Sequence, residues 1–488
     1  MKLIYDVQDR PKAGQIIVFA LQQLLAIMAA TIAVPGVVNQ VTGSHMTPSA
    51  ALFGAGVGTV VYLLFTKFKS PVFLGSSFAF LGSMFAAFSG AIAMGDEKLG
   101  YFGLIIGAVF AGLVYVILAV IIKLTGVRWI NKIMPAVVIG PTVAIIGLSL
   151  AGNAVGDAQT GASFVLEGVD DPQVLANPYV CLVCAFVTLL VVILCSSYGK
   201  KMGKLIPFII GIAAGYCCAL IFTLIGTFAS IDALKVINFQ PFKDLVANGV
   251  GLGTFLALPR FTFLDAIEGL KSVNPSFIAT IAVAYIPVAF VVFAEHIADH
   301  KNLSSIIEKD LLVEPGLHRT LLGDGVGSMA GAIFGGCPNT TYGESVGCVA
   351  ITGNASIVTI FCAAIIAILV SFISPLMAFL SSIPPCVMGG VCITLYGFIA
   401  VSGLKMIQKS DLGDNANLFT VSVILICGIG GLSLTFGKIT ITEVACALIL
   451  GILVNVILAK SRKKNEAAAA ETAETVEPAG TVEKADEE

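Results

Sequence analysis

The sequence predicts an all-α polytopic membrane protein of fourteen transmembrane segments, arranged as two inverted repeats of seven. Three observations lead there. The 488 residues are 57% hydrophobic and only 12% charged, with a mean hydropathy of +0.98, whereas soluble domains carry about one quarter charged residues. Apolar runs such as 102–122, FGLIIGAVFAGLVYVILAVII, reach the ~20 residues that span a bilayer. Lys and Arg gather in alternate connections, as the positive-inside rule asks of cytoplasmic loops.

The segments centre on 15–37, 50–66, 71–90, 102–122, 133–152, 177–197, 205–229, 275–297, 319–336, 340–353, 356–375, 384–402, 416–436 and 440–459. With a cytoplasmic N-terminus (1–14), connections after even-numbered segments should be basic. Lys67 and Lys69 follow the second; Lys123, Arg128 and Lys132 the fourth; Lys200, Lys201 and Lys204 the sixth; Lys405 and Lys409 the twelfth. The connection 153–176 has no Lys or Arg but holds Asp157, Glu167, Asp170 and Asp171, as an outside loop should. The connection 230–274, read as extracellular, carries Lys235, Lys243, Arg260 and Lys271 and fits less well, although long loops weigh less in this rule. Both termini are expected in the cytoplasm and the protein in the inner (plasma) membrane. The tail 461–488, after a basic KSRKK start at Lys460, is Ala- and Glu-rich and is expected to be disordered.

Other classes are disfavoured. A net charge of −3 argues against nucleic acid as a partner. The opening MKLIYDVQDRPKAGQ is mixed in charge and runs into a full span, unlike a cleavable signal. The 12 Cys lie almost wholly in apolar segments. Even CLVC at 181–184 is expected to pack as small hydrophobes, so neither a disulfide framework nor a metal site is indicated. No nucleophile–base pair in the spans suggests an intramembrane enzyme.

Fourteen is twice seven, and an odd repeat inverts the second half. Segments three and ten, equivalent under that pairing, are both broken by polar and small residues: SPVFLGSSFAF at 70–80 and PNTTYGES at 338–345. Paired interruptions are the best sequence pointer to a transporter's midplane site. Irregular backbone at membrane depth survives only when buried in protein or lining a cavity. The breaks are therefore expected to be non-helical crossings that face each other across a polar cavity, each running into a half-helix whose N-terminal amides point at a ligand. The plain alternative is a pair of extramembrane turns.

Acids inside the spans sharpen this. In VVFAEHIADH (291–300), Glu295 and Asp299 are i,i+4 and share a helix face. Placing an acid in a span costs about 2.5–3.5 kcal/mol, so such residues mark ion, proton or substrate paths. The alternative is a helix ending at 294, with the acids in interfacial water. His296 points about 100° away and reads as a packing residue. Asp324 caps a helix or faces the cytoplasmic side of the cavity; Glu443 is interfacial; Gln22 and Gln23 line the cavity or bond a neighbouring helix. Glu295 and Glu344, one from each half, would meet at one site. Carboxylate acceptors beside backbone N–H donors match a small planar solute with alternating N–H and C=O edges, such as a uracil or a xanthine.

At these residues the chain resembles the nucleobase–ascorbate transporters, or nucleobase cation symporters, with the bacterial uracil permeases the nearest branch. The likeness runs from LQQLLAIMAATIAVP (21–35) through LGSSFAF (74–80), FAEHIADH (293–300) and KDLLVEPGLHRT (309–320) to PNTTYGES. It implies a core domain of spans 1–4 and 8–11 (15–132 and 275–380) and a gate domain of spans 5–7 and 12–14 (133–229 and 381–460). Spans 3 and 10 would carry short antiparallel strands with the substrate between them. Position by position, Glu295 and Glu344 resemble the glutamates that hydrogen-bond the base, Gly343 and Phe78 resemble backbone contacts to its carbonyls, and Ala30 and Tyr342 resemble site neighbours. The resemblance implies proton-coupled symport of uracil, with xanthine or uric acid as the alternative cargo, by Glu295 and Asp299 as proton carriers. It also implies a homodimer, and no cofactor beyond the coupling proton.

Three positions depart from the family pattern. Ser345 stands where the signature has Asn, Asp299 where some uracil permeases have His, and Gln22–Gln23 where a Gln–His pair is common. Ser345 and Gln23 are thus expected to support the site. An inorganic anion carrier of the related sulfate-transporter architecture is disfavoured, because two cavity acids would repel its cargo.

Overall fold

A computed structural model describes residues 3–126, 129, 134–164, 173–200, 207–247, 249–408, 410–436, 439–441 and 443–458. The expected disordered tail, and Glu167, Asp170 and Asp171, lie outside the described residues.

The chain opens with helices α1 (Ala13–Thr42) and α2 (Pro48–Phe65). Proline at the first position of α2 and a Thr47 hydroxyl accepting from the Ala50 N–H start that helix. Strand β1 (Leu74–Ser76), a tight turn at Phe78–Phe80 and α3 (Leu81–Ile92) make the next segment. Helix α4 (Lys98–Thr125) follows, then α5 (Ala136–Ser149) and, after Leu150, α6 (Ala151–Ala158). A small ribbon, β2 (Ser163–Phe164) with β3 (Gln173–Val174), leads to α7 (Pro178–Tyr198) and α8 (Pro207–Phe228). The connection 230–274 is not a bare loop: it holds α9 (Gln240–Val246), α10 (Leu252–Phe255) and α11 (Thr262–Gly269), the last packed on α4.

The second half begins with α12 (Pro275–Ile307) and α13 (Leu317–Gly335). Strand β4 (Asn339–Thr341) runs into α14 (Gly343–Thr352), followed by α15 (Ile357–Val370), α16 (Ser374–Ser382) and α17 (Pro385–Ile407). Helix α18 (Asn415–Ile429), the hairpin β5 (Leu434–Phe436)–β6 (Ile439–Ile441) and α19 (Glu443–Leu458) complete the described chain. Each apolar segment marked in the sequence carries a helix, and in 71–90 and 340–353 a strand precedes it. Among the described residues, 8 helices are long and apolar enough to cross a membrane.

Packing sorts these helices into two sets. Helices α1, α2, α4, α12, α13 and α15 pack chiefly on one another; α5, α6, α7, α8, α17 and α18 form the other set. The sets meet where α12 touches α5 and where α1 touches α8 and α17. Within the first set, α2 and α13 approach backbone to backbone. A Cβ added to Gly327 would lie 2.7 Å from Gly58 O and 2.7 Å from a methyl of Leu74, so only glycine permits the contact that seats β1.

Two expectations are corrected here. Asp157, counted among the acids of an outside loop, belongs to α6 and is buried at 7% exposure, because the helix runs on through Leu150 past the apolar run that marked its end. Asp324 neither caps a helix nor lines a cavity: it sits mid-way along α13, fully buried, facing His296 across the interface with α12.

A candidate small-molecule site at two broken segments

The two polar breaks do not face each other across open space; they pair. β1 and β4 run antiparallel with Leu74 opposite Thr341, Gly75 opposite Thr340 and Ser76 opposite Asn339. Ser77 N–H extends the ladder to Pro338 O at 2.9 Å. Pairing satisfies backbone groups that lipid would leave stranded. Side chains pin the pair from outside. Asn339 Nδ2 donates to Gly54 O on α2 at 3.1 Å, and Thr59 Oγ1 accepts from Leu74 N–H at 2.9 Å. Tyr342 OH donates to Ser76 O at 2.7 Å, its ring lying where a side chain on Gly75 would sit.

At the ends of this ribbon the chain turns into α3 and α14, whose first N–H groups have no partner within the helix. A cavity of about 460 Å³ opens there, within the ~300–1,000 Å³ usual for small-molecule sites. Glu295 and Asp299 of α12 enter it from one side and Glu344 of α14 from another, with Gly343, Tyr342 and Phe78 in the same wall. Asp299 is held by Thr341, whose Oγ1 donates to Oδ2 at 2.9 Å. No Lys or Arg is among the lining residues. Among the described residues, no group of three or more His, Cys, Asp or Glu is disposed to hold a metal ion.

The cavity thus unites Glu295, Asp299, Glu344, Gly343, Phe78 and Tyr342. Ala30 is buried in the core, and the α1 residue in the wall is Ala26, one turn earlier. Gln23 and Ser345 lie behind the wall, bonded to each other at 2.5 Å. His296 turns away from the cavity. Its Nδ1 faces Asp324 at 2.7 Å and its Nε2 faces Thr320 at 3.0 Å, while its ring stacks on His300 at 4.1 Å between centroids. His300 continues the buried chain to Tyr62 OH at 2.8 Å.

Several lining residues are not singled out by the sequence. Ser77 and Thr340 are buried hydroxyls without a protein partner among the described residues, and both line the cavity. Their place in the two breaks was the available signal. Val143, Phe208, Phe398 and Ile399 supply an apolar wall from the second helix set. Tyr396 of α17 packs edge-on against Phe78, centroids 5.5 Å apart. Aromatic and branched residues in apolar helices read as ordinary packing, so nothing in the sequence separated these from the rest. The cavity extends to Ser196, Pro207, Asn302 and Met406, near the ends of α7, α8, α12 and α17, with Lys200 and Lys405 close by in sequence.

Helices broken at paired positions around a polar cavity define a membrane transport protein. The chain belongs to the Permease family, whose model matches residues 14–436. It is 40% identical over 461 residues to the uracil permease of Bacillus caldolyticus, covering 94% of this chain and 95% of that one. Identity to the uracil permease of Bacillus subtilis is 37%, covering 95% and 97%, and to that of Escherichia coli K12 33%, covering 92% and 93%. In fold it is similar to the transmembrane domain of a cyanobacterial bicarbonate transporter, BicA (TM-score 0.54, 15% identity, 92% and 99% covered). It is likewise similar to the murine anion transporter Slc26a9 in its inward-facing state (TM-score 0.61, 9% identity, 93% and 70% covered).

Proposed function

We propose that this permease imports uracil together with a proton by alternating access. The observation that carries the reading is one cavity in which Glu295 and Glu344 stand beside the N-terminal ends of two broken helices. The carboxylates accept N–H groups of the ring. The free amides near Gly343 and Phe78 donate to its carbonyls, and the ring edge rests on Tyr342 and the apolar wall. The uracil permease relatives support this cargo. The bicarbonate-transporter likeness supports the fold alone, since three acids and no Lys or Arg in the wall would repel an anion.

Ionised acids crowded in one cavity repel each other. A proton taken up by Glu295, with Asp299 beside it, removes that repulsion and readies the site for a neutral base. In this reading the chain makes fourteen crossings as two inverted repeats, with both termini cytoplasmic in the inner membrane. Residues 15–132 and 275–380 move as a core against a gate of 133–229 and 381–460. The cavity's reach toward the basic helix ends corresponds to an inward-open state. The working unit is a homodimer, and it needs no cofactor.

Uptake into proteoliposomes tests the reading. Initial rates of uracil entry should rise with an inward proton gradient, and Glu295→Gln should bind uracil yet lose that dependence. Uptake indifferent to the gradient would remove the coupling. Undiminished uracil binding by Glu344→Ala would remove the site. If xanthine or uric acid displaced uracil at lower concentration than uracil itself, the cargo would be an oxopurine.

A further inference from the structure

Three connections at one end of the first helix set adjoin elements that carry the site. Residues 66–70 lead from α2 toward β1, residues 308–309 follow α12 with its Glu295 and Asp299, and residues 353–357 follow α14 with its Glu344. Residues 3–9 reach all three. Gln8 Nε2 donates to Phe68 O at 3.0 Å, Lys309 Nζ to Asp6 Oδ2 at 2.5 Å, and Ser356 Oγ to Asp9 O at 2.7 Å. The backbone of Ile4, Tyr5 and Val7 bonds to that of Gly353, Ala355 and Ile357. Tyr5 also holds α1, through its hydroxyl to Gln15 Oε1 at 2.9 Å and its ring edge-on to Phe19. Every partner belongs to the first helix set or its connections.

The backbone beneath these ties is strained. Among the described residues, four that are not glycine have a positive φ, and three of them lie here: Lys67, Phe68 and Glu308, each at +54°. Such conformations persist only where their surroundings over-determine them, and residues 3–9 supply bonds at Phe68 and beside Glu308. The segment itself is lightly seated. Of its residues only Val7 is buried, at 3% exposure, and a cavity of about 560 Å³ lies between it and the end of α12. Val7 is therefore the one side chain whose loss would release the segment without disturbing the core.

Helix α14 is only 10 residues long, about 15 Å, from Gly343 in the cavity wall to Thr352. The β1–β4 ribbon fixes its first end, and residues 3–9 fix the connection at its last. A tilt of so short a helix displaces Glu344 unless both ends hold. We propose that residues 3–9 are a positioning segment, a clasp that binds the far ends of the site-bearing elements and so sets the affinity of the cavity for its ligand. This rests on the substrate site proposed above.

The test is binding of labelled uracil to the purified full-length protein carrying Val7→Asp, which places a charge where the segment is anchored. The Kd of the folded fraction should rise about tenfold. A synthetic peptide of residues 3–11, LIYDVQDRP, should return it to within about threefold of the parent at roughly millimolar concentration, which replaces the effective concentration of a tethered segment. The same peptide with Val7→Asp should do nothing. A merely structural role would lower the folded yield and leave the Kd alone. That outcome, or a raised Kd that the peptide does not lower, overturns the proposal. Should Val7→Asp fail to fold, Gln8→Ala combined with Ser356→Ala removes two ties and buries no charge. It should raise the Kd about threefold, and a parental Kd there overturns the proposal equally. Glu344→Ala is the control. Retained uracil binding there would discard the site itself, whereas lost binding there with a parental Kd in Val7→Asp discards only the clasp.

Discussion

His296 Nδ1 lies 2.7 Å from Asp324 Oδ2, and neither side chain has any exposure. The pair joins α12, which presents Glu295 and Asp299 to the cavity, to α13, which seats the β1–β4 ribbon. The same ring's Nε2 contacts Thr320, so both nitrogens are engaged and the rotation of α12 at this level is held from two points. Removing one partner of a buried hydrogen-bonded pair leaves the other unmatched, at a cost of about 1–3 kcal/mol. Asp324→Ala should therefore lower the thermal midpoint sharply and deplete folded protein in membranes. Asp324→Asn, which keeps an oxygen for the imidazole N–H, should lose much less. Scanning fluorimetry on detergent-solubilised protein compares the two, and equal losses would show that the contact with His296 is not what matters.

Thr341 links the ribbon to the acid one turn beyond Glu295. Its hydroxyl donates to Asp299 Oδ2 at 2.9 Å, and a Cβ on Gly343 would lie 3.7 Å from Asp299 Oδ1. Thr341→Val preserves shape and β-branching but removes the donor. Hydrogen bonds to charged groups contribute about 1.5–3 kcal/mol, so this variant should raise the half-saturation concentration for uptake by about tenfold or more, with a folded yield close to that of the parent. Thr341→Ser, which keeps the hydroxyl, should stay near the parent value. Initial-rate uptake in proteoliposomes gives both numbers.

Much of this site was legible because polar residues are conspicuous in an apolar chain. PNTTYGES and LGSSFAF stood out for that reason, as did Glu295 and Glu344. What local pattern did not carry was long-range partnership. The antiparallel strands of spans 3 and 10 came from the family resemblance alone: β1 and β4 pair in a register between residues more than 260 apart, of which the sequence nearby holds no trace. Asp324 offered an acid without an address, since its partner lies on another helix. Ala26 and Ala30 differ by one turn of α1 and are the same residue type, so only packing tells which meets the cavity. Nothing in the sequence singles out Tyr396 or Phe398; only the packing of α17 shows Tyr396 edge-on to Phe78 and Phe398 in the cavity wall. Asp157 was misread because hydropathy ends a segment where polarity begins, while the helix itself continues.

Gly75 is where the ribbon tolerates no side chain. A Cβ there would meet the Tyr342 ring and sit 2.9 Å from its hydroxyl, which donates to Ser76 O. Gly75→Val would push Tyr342, and with it the start of α14, out of place. Uracil binding should fall below detection while circular dichroism still reports a helical protein, because most helices do not touch this contact. Adding Tyr342→Ala should relieve the clash and recover part of the binding. If Gly75→Val binds normally, the ribbon is more pliant than its packing implies.

A last expectation concerns pH and lies outside the cavity. Residues 3–9 form a strap along the connection after α14: Ile4 N–H donates to Gly353 O at 2.7 Å, Ala355 N–H to Tyr5 O at 2.9 Å and Ile357 N–H to Val7 O at 3.0 Å. Lys309 Nζ holds the strap through Asp6 Oδ2 at 2.5 Å. That ammonium, and then the Val7 N–H, keep the Asp6 carboxyl below its ordinary value of 3.8 against the opposing effect of partial burial. A carboxyl depressed in the folded state adds stability above its unfolded pKa and loses it as pH falls through the folded one. The contribution is therefore full at neutral pH and fades only below about pH 4. Because both partners are about half exposed, the effect is modest, about 0–1 kcal/mol. A spin label on Ile4→Cys should stay immobile from pH 8 to about pH 5 and become more mobile, reversibly, in stronger acid. In a Lys309→Met background the label should be somewhat more mobile from pH 8 to about pH 5 and match the parent in stronger acid, so that its acid response flattens. A label in the parent that loosens instead as pH rises toward 8 would show that Asp6 is not the group that fastens the strap.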